Sequence, residues 1–352
     1  MDASRRSRLR DHLALVSPGT VLRDGLDRIV HGRTGALIVL GHTATVQPLV
    51  TGGFAVDVPL TATSLRELAK LDGAILLRDG LDRIVHAGAH LMPEASIPTE
   101  ETGTRHRTAD MVSRQLGVGV VTVSASMSSI ALFLDGERTR IRQPEHLLAR
   151  ANQGLATLSR YRDRLTEAAN RLTALELQDT VTVGDVSVVL RRLELVLRLA
   201  AELDDEVVEL GTEGRMVELQ VQELLAGVDG TATALARDYG TGASRLRLDS
   251  LGELAAEELL DAVVVARRVG LVPGSLDARL PVRGYRQLAQ LPRLSATVAE
   301  EVVRHFGSLQ ALLGASLADL LGVPAVDPAA ARVIRDGLGR LAESYDRFDL
   351  PG

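Results

Sequence analysis

Hydrophobic and polar positions follow two different patterns along the chain, and the change falls near Pro144. Before this point, short apolar runs alternate with amphipathic stretches, which is typical of a mixed α/β domain. The runs predict strands at Ala36–Leu40, Ala74–Leu77, Val118–Val123 and Ile130–Leu134, and the stretches predict helices such as Ser64–Lys70 and Ala109–Leu116. Residues 1–143 are therefore predicted to form a mixed sheet flanked by helices.

Beyond Pro144, apolar residues recur at spacings of three and four while charged residues fill the opposite face, as in amphipathic helices. This pattern covers the segment from Leu155 to Leu175 and continues through Val186–Glu209 and Thr212–Ala226. The glycines and serines of Thr231–Asp249 predict a loop, and short helices begin near Arg283. We therefore expect an all-α spine over residues 144–282 and a compact helical domain over residues 283–352.

The decapeptide LRDGLDRIVH occurs twice, at Leu22–His31 and at Leu77–His86. The flanking residues share no register, which favours coincidental similarity over a duplicated domain. In the first copy the apolar residues fall on one face of a helix. The second copy continues an apolar run, so Arg78-Asp79-Gly80 predicts a turn, with Gly80 free to adopt a positive φ, and Ile84-Val85 a returning strand. One sequence is thus predicted in two conformations, because tertiary context overrides local propensity.

Composition narrows the function classes. The 352 residues are 45% hydrophobic and 24% charged, an ordinary globular balance. No apolar run approaches the roughly 18 residues of a membrane span, and no signal peptide precedes the domain, so we expect a cytoplasmic protein. The absence of cysteine excludes disulfides and thiolate chemistry. The net charge of −6 restricts nucleic-acid contact to a local patch. Lys70 is the one lysine among 40 basic residues, which leaves a single candidate for lysine chemistry.

Three short stretches in the first domain carry candidate chemistry. In AKLDGAILL, Asp72 stands at a strand start and is followed by Gly73, which would let a ligand approach the backbone closely. A plain Asp-Gly turn is the alternative. In VTVSASMSS, Ser124 and Ser126 follow a strand and could contact phosphate, or simply form a polar loop.

The third stretch, ETGTRHRTAD, has the strongest chemical signal. Arg105 and Arg107 flank His106, with Thr104 and Thr108 outside them and a helix predicted to begin near Thr108. Arginine forks, hydroxyl groups and the free N–H groups of a helix N-terminus together suit a polyphosphate. An exposed basic turn is the alternative.

Together, the motifs LDGA, GTRHRTA and VSASM resemble the diadenylate cyclase domain of the DisA family of DNA integrity scanning proteins. The segments HLMPEASIPTEETGTRHRTAD and YRQLAQLPRLSATVAEEVVRHFGSLQALL extend this resemblance over essentially the whole chain. The resemblance implies a cyclase domain, a helical spine and a C-terminal helix-hairpin-helix module. It also implies that two ATP molecules condense into cyclic di-AMP with release of pyrophosphate, using Mg²⁺ or Mn²⁺.

The same resemblance assigns roles to individual residues. Asp72 would be the catalytic carboxylate and the metal ligand, with Arg105 and Arg107 as the catalytic cations. Gly73 and Leu91 would contact the nucleotide, and its phosphates would be held by Thr104, Arg105, His106, Arg107, Thr108 and Ser124. A homo-octamer with cyclase domains facing each other, and branched DNA as a partner, are also implied.

Two other functions remain open at this point. Lys70-Leu71-Asp72-Gly73 matches the KxDG adenylation motif of nucleotide-dependent ligases, in which the lysine attacks the α-phosphate. Such ligases use a further lysine pair, and this chain has none. The other alternative is a DNA-binding scaffold that senses ATP without turning it over.

The sequence departs from the family pattern in two places. In the cyclase domain, Asp110 replaces a usual Glu and Ala125 a common Gln, and neither change removes a proposed ligand. In the second hairpin, Val323–Ala331, Ala325 and Asp327 stand where glycines are usual and Pro328 follows. Residues 284–352 carry seven arginines and eight acidic residues, so no net positive charge compensates. We therefore expect weak DNA binding.

Overall fold

The computed structural model describes residues 3–41, 44–240, 245–271 and 275–346. Its strands are β1 (Ala36–Leu40), β2 (Val50–Thr51), β3 (Phe54–Pro59), β4 (Ala74–Leu77), β5 (Arg83–Leu91), β6 (Gly119–Ser124), β7 (Ser129–Leu134) and β8 (Glu137–Ile141). Its α-helices are α1 (Ala3–Leu15), α2 (Val21–His31), α3 (Ala62–Leu68), α4 (Thr104–Leu116), α5 (Pro144–Leu177), α6 (Val183–Leu210), α7 (Arg215–Leu225), α8 (Val228–Asp238), α9 (Ala262–Val269), α10 (Tyr285–Ala289), α11 (Ala296–Phe306), α12 (Leu309–Gly314), α13 (Leu317–Leu321) and α14 (Pro328–Asp346).

The eight strands form one mixed sheet, which confirms the predicted fold class. The order is β2-β5-β4-β1-β6-β7-β8, with β3 also paired to β5. β1 and β4 are parallel, whereas the other pairs are antiparallel. All five residues of β1 are buried, as expected for a strand covered on both faces.

Helices cover both faces of the sheet because side chains alternate along each strand. Ile38 and its neighbours on one face pack with Leu26 of α2 and Leu65 of α3. Val39, on the other face, lies in a second core with Val112 of α4. Within the described residues, no helix is both long and apolar enough to span a membrane.

The repeated decapeptide folds in two ways, as predicted. The first copy is α2, capped by the Thr20 side chain, and the second ends β4, turns and begins β5. The position of the left-handed residue in that turn was predicted wrongly. Leu81 adopts φ +51°, whereas Gly80 does not have a positive φ. The Leu81 N–H donates to the Arg78 carbonyl oxygen at 2.8 Å, which holds this turn.

The chain divides into two compact units, Met1–Gln153 with Leu203–Leu219, and Gly154–Glu202 with Gln220–Gly352. In the second unit, the loop predicted over Thr231–Asp249 is wrong in its first half, which belongs to α8. Ala234, Leu235 and Ala236 are buried there, and this burial favours the helix despite weak local signals. The domain boundaries at residues 143 and 282 stay a prediction.

The C-terminal helices α10 to α14 enclose a core of their own. Ala325 stands where the family usually has glycine, but no residue from Gly322 to Pro328 has a positive φ. A Cβ at position 325 is therefore not strained. Asp327 immediately precedes α14, and its carboxylate accepts the Ala330 N–H at 2.7 Å. The acidic side chain thus occupies the N-terminus of α14.

Candidate active site

Strand register brings the predicted site residues to one edge of the sheet. Leu37 of β1 lies opposite Ala74 of β4, and Ala36 lies opposite Val123 of the antiparallel β6. The first residues of β1 and β4 therefore meet the last residues of β6. A cavity of about 570 Å³ opens at this edge, lined by Leu37, Asp72, Gly73, Ala74, Ala89, His90, Leu91, Met92, Gly103, Thr104, Arg105, His106, Thr108, Val123, Ser124, Ala125 and Ser126.

Asp72 supplies an accessible carboxylate, since its side chain is 93% exposed. Gly73 adopts φ +120°, and a Cβ there would lie 2.6 Å from the Gly88 carbonyl carbon and 2.7 Å from the Ala89 oxygen. The backbone of β5 thus lies so close to Gly73 that position 73 has no room for a side chain. This corrects the interpretation that Gly73 makes room for a ligand, although the residue does line the cavity.

The N-terminus of α4 faces the cavity and begins at Thr104, four residues earlier than predicted. Gly103 precedes it at φ +88° and offers no side-chain cap. The first N–H groups of a helix lack intrahelical partners, and here no capping side chain competes for them. The RHR motif therefore lies on the first helical turn, where backbone donors and the helix dipole favour an anion.

Arg105 and Asp72 form an ion pair across the cavity. The Arg105 Nη2 and Asp72 Oδ1 atoms are 3.5 Å apart, and the arginine side chain is 44% exposed. Both groups remain open to solvent, so the pair is weak. The guanidinium and the carboxylate are therefore both accessible to a ligand in the cavity.

His106 provides a neutral polar group beside these charges. Burial lowers the pKa of its imidazole, and the positive charge of Arg138 lowers it further. The ring also meets Phe133 edge to face at a centroid distance of 6.0 Å. At neutral pH the imidazole is therefore uncharged, with one nitrogen that can donate to a phosphate oxygen.

Ser124 closes the opposite wall at the end of β6. Its Oγ lies 3.3 Å from the Ser126 Oγ and accepts the Met127 N–H at 3.3 Å. Two hydroxyl groups thus meet at the cavity wall, with the hydrogens of both free to reorient.

All but one of the predicted nucleotide-binding residues line this cavity. The exception is Arg107, which lies on the first turn of α4 but is exposed and does not line the cavity. Sequence reasoning assigned no role to the cavity residues Leu37, Ala74, Ala89, His90, Met92, Gly103 and Val123. His90 lies near the end of β5 and Met92 just after it, and this position at the end of a long strand could have identified them.

Lys70 and Asp110 lie outside the cavity. The Lys70 Nζ pairs with Glu67 Oε2 at 2.5 Å, and its side chain is 53% exposed. Asp110 is buried in α4, where its Oδ1 accepts from the Arg114 Nε at 2.9 Å. The Asp110 departure from the family pattern therefore leaves the cavity unchanged, whereas Ala125 does form part of its lining.

A carboxylate, an arginine and an uncapped helix N-terminus around one cavity define a nucleotide-binding class of domain, and comparison with known families agrees. Residues 23–138 match the family described as DisA bacterial checkpoint controller nucleotide-binding. Residues 141–276 match the DisA bacterial checkpoint controller linker region.

Whole-chain relatives make the assignment more specific. DNA integrity scanning protein DisA of Streptomyces coelicolor is 51% identical over 345 residues, covering 96% of this chain and 92% of that protein. The Streptomyces griseus protein of the same name is 52% identical with the same coverage. That of Acidothermus cellulolyticus is 50% identical over 351 residues, 97% of this chain and 95% of its own. The chain belongs to the DisA family of DNA integrity scanning proteins, which confirms the resemblance inferred from its motifs.

Proposed function

We propose that this protein is a diadenylate cyclase that converts two ATP molecules into cyclic di-AMP and two pyrophosphates. The observation that carries the proposal is the placement of Asp72 and Arg105 in one cavity beside the open N-terminus of α4, in a chain of the DisA family. These are the groups that a phosphoryl transfer requires: a carboxylate near the nucleophile and cations near the leaving group.

The reaction balances with the groups present. The 3′-hydroxyl oxygen of one ATP attacks the α-phosphorus of the other, and the bond from that phosphorus to the bridging oxygen of pyrophosphate breaks. Asp72 accepts the hydroxyl proton, while Arg105 and the first N–H groups of α4 stabilise the charge that develops on the leaving group. The same step in the opposite direction closes the ring. Each cavity holds one ATP, so two copies of the chain have to meet, and we propose a closed homo-oligomer, with an octamer as the family pattern.

A divalent cation, Mg²⁺ or Mn²⁺, fits this donor set. Among the described residues no cluster of three or more histidine or acidic side chains could hold a metal by itself. Mg²⁺ is commonly bound by one or two carboxylates together with substrate phosphates, and Asp72 supplies one accessible carboxylate. When bound, the cation would neutralise charge on the phosphates.

The ligase alternative finds no support at Lys70. An adenylation lysine has to reach the α-phosphate, yet Lys70 pairs with Glu67 and does not line the cavity. For the C-terminal module we propose weak contact with branched DNA, because the Asp327 carboxylate occupies the helix N-terminus that would otherwise receive a phosphate.

The test is ATP consumption by Asp72→Asn, which preserves volume and removes the charge. We expect activity to be abolished while the melting temperature is retained. Asp79→Asn is the matched control, because Asp79 also precedes a glycine beside the sheet but lies outside the cavity. Normal turnover by Asp72→Asn, or equal loss in both variants, would contradict the assignment. Incubation with labelled ATP followed by gel electrophoresis separates the ligase, which alone becomes covalently labelled.

A further inference from the structure

Gly35 lies at the same sheet edge as the active-site residues, although it is not part of the cavity lining. It immediately precedes β1. Continuing the register of β1 with β4 and β6 places it level with Asp72 and Ser124. Its position therefore brings its α-carbon next to the side chain that reaches in from α4.

The neighbour that requires a glycine here is Arg105. A Cβ on Gly35 would lie 2.6 Å from the Arg105 Nη1 atom, 3.0 Å from its Cζ, and 3.3 Å from the Val123 carbonyl oxygen. Gly35 does not have a positive φ, so its backbone conformation is open to any L-residue. The steric clash that a Cβ on Gly35 would cause is thus with the guanidinium group of Arg105.

The other end of the same guanidinium faces the proposed catalytic carboxylate. The Arg105 Nη2 atom is 3.5 Å from Asp72 Oδ1, so the group lies between Gly35 and Asp72. We propose that Gly35 is a positioning residue for the reaction, because the absence of a side chain creates the space in which Arg105 rests. This inference depends on the proposed cyclase function and deepens it.

Displacement of Arg105 is the expected result of filling this space. An arginine side chain is long and rotates easily, so it moves before the sheet does. Electrostatic stabilisation of a transition state depends on groups already held in place, and small displacements cost much of it. Gly35→Ala should therefore yield a folded protein with a misplaced cation.

The experiment compares Gly35→Ala, Arg105→Ala and the double variant in the full-length protein, measuring turnover, KM for ATP and melting temperature. Gly119→Ala is the matched control. Gly119 pairs with the opposite end of β1, also lacks a positive φ, and its added Cβ would meet the His12 ring at 2.5 Å. It lies outside the cavity.

We expect Gly35→Ala to lower turnover by about 10²-fold, as for the loss of one preorganised group. Gly119→Ala should leave turnover of the folded protein nearly unchanged, because its added Cβ meets His12 and no residue of the cavity lining. In the Arg105→Ala background, Gly35→Ala should lower turnover no further, because two residues that act through one group are not additive. If Gly35→Ala lowers the melting temperature, removing Arg105 should restore it.

Three results would overturn the proposal: normal turnover by Gly35→Ala, a full additional loss in the double variant, or a lowered melting temperature that Arg105→Ala does not restore. Failure of the cyclase function itself is distinguishable. In that case the unmodified protein makes no cyclic dinucleotide, whereas failure of this inference alone leaves the unmodified protein active and Gly35→Ala equally active.

Discussion

A buried acidic group in the second unit predicts an unusual dependence of stability on pH. Glu176, at the end of α5, is fully buried and accepts hydrogen bonds from the Arg286 Nε at 2.8 Å, the Tyr239 hydroxyl and the Gln287 side chain. Asp238, also buried, accepts the backbone N–H groups of residues 284–286 at 2.7–2.8 Å. Two buried carboxyl groups thus lie near Arg286, but only Glu176 pairs with its guanidinium, while Asp238 is held by backbone N–H groups.

Burial dominates over these hydrogen bonds and raises the pKa of Glu176 from 4.5 to about 7. The folded state therefore binds a proton that the unfolded state has released above pH 4.5. Stability from this group is fully present below pH 4.5 and is lost as the pH rises through about 7. A shift of this size is worth about 3 kcal/mol in the free energy of unfolding.

The perturbation is Glu176→Gln, which fixes a neutral group of equal size. The variant lacks this titration, so the difference in unfolding free energy between the variant and the unmodified protein should shift in favour of the variant between pH 5 and pH 8, by up to about 3 kcal/mol. Calorimetry of the full chain measures this difference at each pH, and hydrogen exchange at the amides of Tyr285 and Arg286 locates it in the second unit. Glu301→Gln, which removes a partly exposed carboxylate paired with Arg304, should change stability by no more than about 0.5 kcal/mol, with little dependence on pH above 5. A difference in unfolding free energy that stays the same from pH 5 to pH 8 would refute the reasoning.

Four further predictions follow from individual contacts. Arg105→Ala should lower turnover by about 10²-fold or more, and more than Arg107→Ala, since only Arg105 lines the cavity; equal losses in a steady-state assay would contradict this. Gly25→Ala should destabilise the protein by about 1 kcal/mol or more in thermal unfolding, because the added Cβ would lie 2.6 Å from the Leu65 Cδ2. Gly80→Ala, at the same place in the second decapeptide, should be neutral or slightly stabilising. Asp327→Gly should raise affinity for branched DNA by ~10-fold, since it removes a carboxylate and frees a helix N-terminus; an unchanged binding curve at moderate salt would refute it. Activity per protomer should fall on dilution below the dissociation range of the assembly, and constant activity of a proven monomer would exclude face-to-face sites.

The sequence predicted most of the first unit because its signals there are local. Uninterrupted apolar runs identified β1 and β4, and helical spacing identified α2 even though the same ten residues recur in a turn. The motif stretches also converged on one cavity as expected. The local pattern is sufficient to predict a helix or a strand wherever burial and periodicity agree.

The failures arise where a local signal is missing or where residues distant in the sequence meet. The start of α4 was placed too late because Gly103 carries no capping side chain, which is the usual signal. Gly73 was read as room for a ligand, while its actual neighbour is β5, paired through the sheet. Gly35 was given no role at all, because its contact with Arg105 joins residues that only the fold brings together. Leu81→Pro illustrates the consequence. The location of Leu81 in a turn suggests that this position tolerates proline. However, Leu81 has a φ of +51°, which proline cannot adopt.

The proposed diadenylate cyclase activity is tested most directly by identifying the nucleotide that the purified protein makes from ATP. The protein is incubated with ATP and either Mg²⁺ or Mn²⁺, and the products are separated by chromatography and identified by mass. We expect cyclic di-AMP, together with two pyrophosphates for every molecule of cyclic product. Recovery of unchanged ATP, or of ADP and phosphate alone, would contradict it.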